Sequence, residues 1–217
     1  MNASVKFAGG MLVVGAILFV PAGSMEWANG WLWLGTMAAL MLAALVALVV
    51  KDPEALMRRL EAREPERGQR LLMTLSIPYF LGLFALPGFD WRFGWSRMPF
   101  ALSLAADAFV VGGYGLFVWV MLANRWAART VKLMAGQTLI DTGPYAVVRH
   151  PMYSGGAVLY IASAFVLGSW WAVLLSLGVP VILGFRAAAE ERTLVSGLPG
   201  YADYMRKVRW RLVPGIW

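Results

Sequence analysis

The sequence predicts an all-α, polytopic integral membrane protein with five to six transmembrane helices, both termini cytoplasmic, and a polar site confined to the C-terminal half. Three observations carry this. Of the 217 residues, 60% are hydrophobic and 14% charged, which is far too apolar for a soluble domain of this size. Apolar runs of spanning or near-spanning length recur along the chain. The Lys and Arg residues alternate sharply between the loops that separate those runs.

The runs are Phe7 to Gly23, Gly30 to Val50, Leu71 to Pro87 and Phe100 to Ala123, against about 20 residues for one crossing. Two shorter runs follow, Ser154 to Leu167 and Trp170 to Gly184. At about 1.5 Å per residue they reach roughly 21 to 23 Å, less than the roughly 30 Å hydrocarbon core unless their helices extend beyond the apolar limits. They read as a tight hairpin turning at Gly168 and Ser169, and five full crossings are the alternative to six. The N-terminal run has one Lys and no clear small-residue cleavage site, so it reads as the first span and not as a signal peptide.

Under six crossings, seventeen of the nineteen Lys and Arg residues fall on one side and only Arg92 and Arg97 on the other. Both termini and the segment Asp141 to Gly155 are therefore expected on the cytoplasmic side, in an inner, plasma or endoplasmic-reticulum-type membrane. The same distribution accounts for the net charge of +7 through orientation in the bilayer, with no nucleic acid needed. With no cysteine and one histidine, structural disulfides are excluded and a metal site built from Cys and His is not expected.

Lys51 to Arg70 carries charges of both signs and an apolar stripe at Leu56 and Leu60, so it reads as an amphipathic surface helix or a plain connector. Tryptophans 27, 31, 33, 91 and 95 fall near the outer ends of spans, where an aromatic belt is expected. Asp107 is the other charge inside a span and reads as a structural polar contact or the wall of a watery pocket. No internal repeat stands out. One domain is expected, with residues 1–123 as scaffold and residues 124–217 as the functional region.

That region opens with Asn124 and Arg129, continues through Gly136, Gln137, Thr138, Leu139, Ile140 and Asp141, and reaches Gly143-Pro144-Tyr145 and Arg149-His150-Pro151-Met152-Tyr153. Gly143-Pro144 is a turn signal, and the residue before a proline is biased away from helix. His150 should therefore lie extended at the mouth of the fifth helix, with Pro151 in its first turn. That would aim the imidazole and the free amides of the helix start at one volume suited to an anionic group. The plainer reading makes His150 a cap and Tyr145 and Tyr153 interface residues. Some forty residues on, Arg186 and Glu190 sit four apart on one face of a continuing helix, which is also the spacing of a simple surface pair. Glu191 points about 100° further round and reads as solvent-facing or structural. The basic run Arg206, Lys207, Arg209 and Arg211 reads as headgroup contact.

The combination GPYAVVRHPMY, then Glu190-Glu191 with Leu194 three residues on, then GYADY and Pro214, resembles the isoprenylcysteine carboxyl methyltransferase family of membrane enzymes, related to the phospholipid methyltransferases. The resemblance covers about Asn124 to Pro214. It implies an S-adenosylmethionine pocket formed by the C-terminal half, with contacts from Gln137, Thr138, Leu139, Ile140, Tyr145, His150, Pro151, Met152, Tyr153 and Glu190. Arg186 would lie at the carboxylate of a lipophilic acceptor entering from the bilayer, and Arg186 and Glu190 would be the residues nearest the chemistry. Thr130 is a weaker carry-over. A sulfonium cation with an amino acid tail and an adenine calls for a carboxylate, hydrogen-bonding groups and aromatic faces, which these residues supply.

Other readings share parts of this pattern. A phospholipid amine or a thiol could replace the carboxylate acceptor. A membrane sterol or enone reductase using NADPH has similar final helices, although the basic and acidic residues expected around a 2′-phosphate are missing. A non-catalytic scaffold or transporter is the reading from another class, and it expects no cofactor binding.

Overall fold

A computed structural model describes residues 3–51, 67–124, 126 and 136–217. The described residues form helices and one short 3-10 turn, with no strand. In chain order the helices are α1 (Ala3–Ala22), α2 (Ala28–Lys51), α3 (Arg67–Phe93), α4 (Phe100–Ala123), α5 (Pro151–Val166), α6 (Trp170–Ser176), α7 (Val179–Gly197) and α8 (Tyr201–Lys207), with the 3-10 turn at Gly143–Ala146. Ala28–Val50, Phe100–Ala123 and Trp170–Gly197 are long and apolar enough to cross a membrane, and Phe7–Ala22 and Pro151–Val166 are shorter apolar helices. Large apolar side chains stand exposed along them, among them Leu12, Val20, Val50, Phe109 and Val181. A helix can present such a surface to lipid because its backbone hydrogen bonds are satisfied internally.

Each apolar run of the sequence is covered by helix, with one difference. The last run is not one helix: α6 ends at Ser176, and α7 starts at Val179 and continues through Arg186 and Glu190 to Gly197. Pro180 explains the break, because it has no N–H to give to the preceding turn. Tyr79 occupies the gap: its hydroxyl donates to the Leu175 carbonyl, and a Cβ on Gly178 would lie 2.7 Å from that hydroxyl.

The chain divides into two compact units. The first comprises residues 1–42, 76–111 and 158–179. Its core packs Leu18, Phe19, Trp27, Trp33, Val110, Val166 and Leu167. Trp27 and Trp33 are thus core residues and not members of a belt; Trp27 folds back over Gly30, where a Cβ would sit 2.6 Å from the indole. Trp31, Trp91 and Trp95 are exposed. Several polar groups inside this unit are paired locally. Asn29 donates to Ser103 Oγ at 2.9 Å and to the Val166 carbonyl at 2.8 Å. Asp90 accepts from Ser96 N at 2.7 Å, from Ser96 Oγ at 2.6 Å and from Ser169 Oγ, tying the end of α3 to the α5–α6 turn. Asp107 accepts from Thr36 Oγ1 at 2.9 Å through Oδ2, while its Oδ1 is buried with no hydrogen-bond partner among the described residues.

The second unit comprises residues 43–75, 112–157 and 180–217 and contains the candidate site residues. Within it α4 and α5 meet backbone to backbone: a Cβ on Gly155 would lie 2.8 Å from the Gly113 carbonyl oxygen, so only glycine permits this approach. A second apolar cluster joins Leu198, Tyr201, Tyr204 and Val208, with Leu139, Tyr145 and Leu194 packed against it. Of the amphipathic segment expected at Lys51 to Arg70, residues 52–66 lie outside the described residues, as does Thr130.

Candidate active site

The site begins at the turn the Gly-Pro pair dictates. Gly143 has φ +59°, a left-handed conformation that glycine adopts without strain. Pro144 follows within the first positions of the 3-10 turn and is buried. Tyr145 is held at both ends: its carbonyl accepts from Tyr204 Oη at 2.7 Å, and its hydroxyl accepts from Asn124 Nδ2 at 2.9 Å.

His150 follows in non-helical backbone and Pro151 opens α5. Several of the amides around the helix start, expected from the sequence to be free, are already bonded. Arg149 N donates to the Trp210 carbonyl and His150 N to the Arg211 carbonyl, each at 2.9 Å, while Tyr153 N and Ser154 N turn back to the His150 carbonyl at 3.0 and 3.1 Å. Ser154 Oγ adds a bond to the Leu212 carbonyl at 2.6 Å. The C-terminal segment 208–212 is thereby strapped across the mouth of α5.

The two adjacent glutamates of α7 have different partners. Glu191 is 3% exposed. Its Oε1 accepts from Arg149 Nε at 2.6 Å and lies 3.3 Å from His150 Nε2, and its Oε2 accepts from Arg211 Nε at 2.8 Å. Arg149 gives its Nη1 hydrogens to the Val208 and Arg209 carbonyls, each at 2.7 Å. Glu191 is therefore not solvent-facing but the centre of a buried clamp. Arg211 is a member of that clamp and not only a headgroup contact; its guanidinium also lies over the Trp217 ring at 4.8 Å.

Glu190 sits on the open side of the same helix, its side chain 27% exposed. Its Oε2 accepts from Tyr153 Oη at 2.7 Å and lies 3.8 Å from His150 Nδ1. The same Tyr153 hydroxyl accepts from Arg186 Nε at 2.9 Å. His150 and Tyr153 stack with ring centroids 5.5 Å apart and planes 12° from parallel. One phenol thus joins the guanidinium and the carboxylate that the sequence placed four residues apart, and the imidazole lies between the two glutamates.

Leu139 and Tyr145 pack on the Leu198, Tyr201 and Tyr204 cluster. Thr138 Oγ1 accepts from Trp126 Nε1 at 3.4 Å. Gln137, Ile140 and Met152 are half-buried, and Pro151 is buried. Arg149, Glu191 and Arg211 were not singled out from sequence as site residues. A signal existed: Arg149-His150 and Glu190-Glu191 are doublets, so if His150 faces Glu190, Arg149 is placed to meet Glu191.

Residues 102–198 match the family model described as phospholipid methyltransferase. No curated protein matches. Among solved structures the chain is similar to a eukaryotic intramembrane Ras methyltransferase, isoprenylcysteine carboxyl methyltransferase, solved without a monobody. Identity is 19%, the match covers 97% of this chain and 74% of that one, and the TM-score is 0.61, so the likeness is one of fold.

Proposed function

We propose that this relative of the phospholipid and isoprenylcysteine carboxyl methyltransferases uses S-adenosylmethionine to methylate a lipophilic acceptor drawn from the bilayer, best matched by the carboxylate of an isoprenylcysteine-like molecule. The observation that carries the reading is the single Tyr153 hydroxyl joining Arg186 to Glu190 beside a stacked imidazole. When bound, the cofactor supplies an electrophilic methyl group on a sulfonium. The donor set fits such a ligand: Glu190 offers a partly exposed carboxylate to positive charge, and His150 and Tyr153 offer flat faces. Gln137, Thr138, Leu139, Ile140, Tyr145, Pro151 and Met152 complete the proposed binding set.

The chain's own residues have a limited task. A carboxylate acceptor is already ionised at neutral pH, so no general base is needed. Positioning alone can supply roughly 7 to 11 kcal/mol of the barrier. Arg186 would orient the acceptor carboxylate, its planar guanidinium suited to a bidentate grip. Tyr153, bonded to Arg186, would fix the angle of that grip relative to Glu190. The positive-inside bias supports a cytoplasmic-facing site.

A phospholipid amine is the second reading, favoured by the family match over residues 102–198. An amine must first lose a proton, so its methylation rate climbs about tenfold per pH unit below the amine pKa. Carboxylate methylation stays level between about pH 7 and 9 on the same argument. The reading is tested by calorimetric titration of the purified protein with S-adenosylhomocysteine and with NADPH. S-adenosylhomocysteine binding supports it; binding of NADPH alone moves the chain to the reductases, and binding of neither removes both enzyme readings. Labelled methyl donor supplied with prenylcysteine analogues or a lipid extract then identifies the acceptor.

A further inference from the structure

On α8, Tyr201 is 4% exposed, and its hydroxyl has no hydrogen-bond partner among the described residues. Its neighbour Tyr204 is as deeply buried yet donates to the Tyr145 carbonyl at 2.7 Å, so burial on this helix does not by itself orphan a phenol. A buried hydroxyl without a partner is costly, and phenylalanine would fill the same space without that cost. The oxygen therefore needs a reason to be there.

Its surroundings supply one. Tyr201 packs in the cluster that receives Leu139 and Tyr145, two residues of the proposed donor-binding set. The Glu191 oxygens are taken by Arg149, His150 and Arg211, so Tyr201 is not needed to satisfy them. Burial, and after it the charges of Glu191 and Glu190, push the Tyr201 phenol well above its usual range. It stays a neutral donor at any working pH.

We infer that the Tyr201 hydroxyl is a further ligand contact, donating a hydrogen bond to an acceptor atom on the nucleoside half of the methyl donor. The inference rests on the methyltransferase reading above and deepens it. The nucleoside is favoured over the amino acid tail because Tyr201 packs in one cluster with Tyr204, Leu139, Tyr145 and Leu194, an apolar and aromatic set of the kind a flat base requires.

The test is Tyr201→Phe in the full chain, purified in detergent and read by calorimetry and thermal unfolding with S-adenosylhomocysteine. Without ligand the variant should unfold at the wild-type temperature or above it, because no bond is lost. Its Kd for S-adenosylhomocysteine should rise by about 2- to 12-fold, the worth of one neutral hydrogen bond. Analogues with a ring nitrogen replaced by carbon, or lacking a ribose hydroxyl, identify the acceptor: the analogue without it should weaken wild type by that factor and leave Tyr201→Phe unmoved. Unchanged affinity in the variant overturns the inference, and so does a fall in ligand-free stability that accounts for the weaker binding. Failure of wild type itself to bind S-adenosylhomocysteine overturns the methyltransferase reading and this one with it, and the wild-type titration separates that case from the others.

Discussion

The Arg149 guanidinium donates to Glu191 Oε1 at 2.6 Å with the two side chains only 6% and 4% exposed, joining α7 to the loop before α5. Arg149 also holds the carbonyls of Val208 and Arg209, and Arg211 closes the other side of the carboxylate. Removing one partner of such a pair leaves an uncompensated buried charge. We expect Glu191→Gln and Arg149→Ala each to lower stability by about 3–5 kcal/mol, read from unfolding in detergent. Arg149→Lys should not restore it, since one ammonium cannot hold a carboxylate and two carbonyls in the guanidinium's geometry. Wild-type unfolding temperatures in these variants would show that the clamp is not structural.

Tyr153→Phe separates positioning from folding. The ring and its stacking on His150 stay, and only the hydroxyl bridging Arg186 and Glu190 goes. Stability should change by about 1 kcal/mol. Turnover should fall on the order of 100-fold, as misplacement by about 1 Å can cost. A variant with wild-type kcat would mean that the bridge does not set the geometry of the reaction.

The proposed split of roles predicts opposite kinetic signatures on one helix. Arg186→Ala should leave S-adenosylhomocysteine affinity near wild type and raise the acceptor KM by about 10- to 150-fold, the value of hydrogen bonds to a charged group. Glu190→Gln and His150→Ala should abolish donor binding. Loss of donor affinity in Arg186→Ala would contradict the division.

Gly155→Ala tests the close crossing of α4 and α5. Alanine gains about 1 kcal/mol over glycine in a helix interior, but its Cβ would lie 2.8 Å from the Gly113 carbonyl oxygen, a backbone atom that cannot rotate away. Overpacking of this kind costs about 1–3 kcal/mol. The clash should win, and thermal unfolding should show net loss of stability; a stabilised variant would mean that the helices separate without penalty.

Local chemistry determined much of this protein from sequence alone. Apolar runs marked the helices, Gly143-Pro144 the turn, His150-Pro151 the start of α5 and Gly168-Ser169 the hairpin, because hydrophobic burial and proline and glycine sterics act over a few residues. The i,i+4 spacing placed Arg186 and Glu190 on one face of a helix for the same reason. Only the tertiary structure decided which partners those groups take. It put Tyr153 between Arg186 and Glu190, assigned Glu191 to Arg149 and Arg211, and bound the segment 208–212 to the loop before α5. These contacts join residues 20 to 61 positions apart in the chain, where no local periodicity operates. Two neighbouring glutamates look alike in sequence; packing buries one among arginines and leaves the other beside a phenol at the open side of the site.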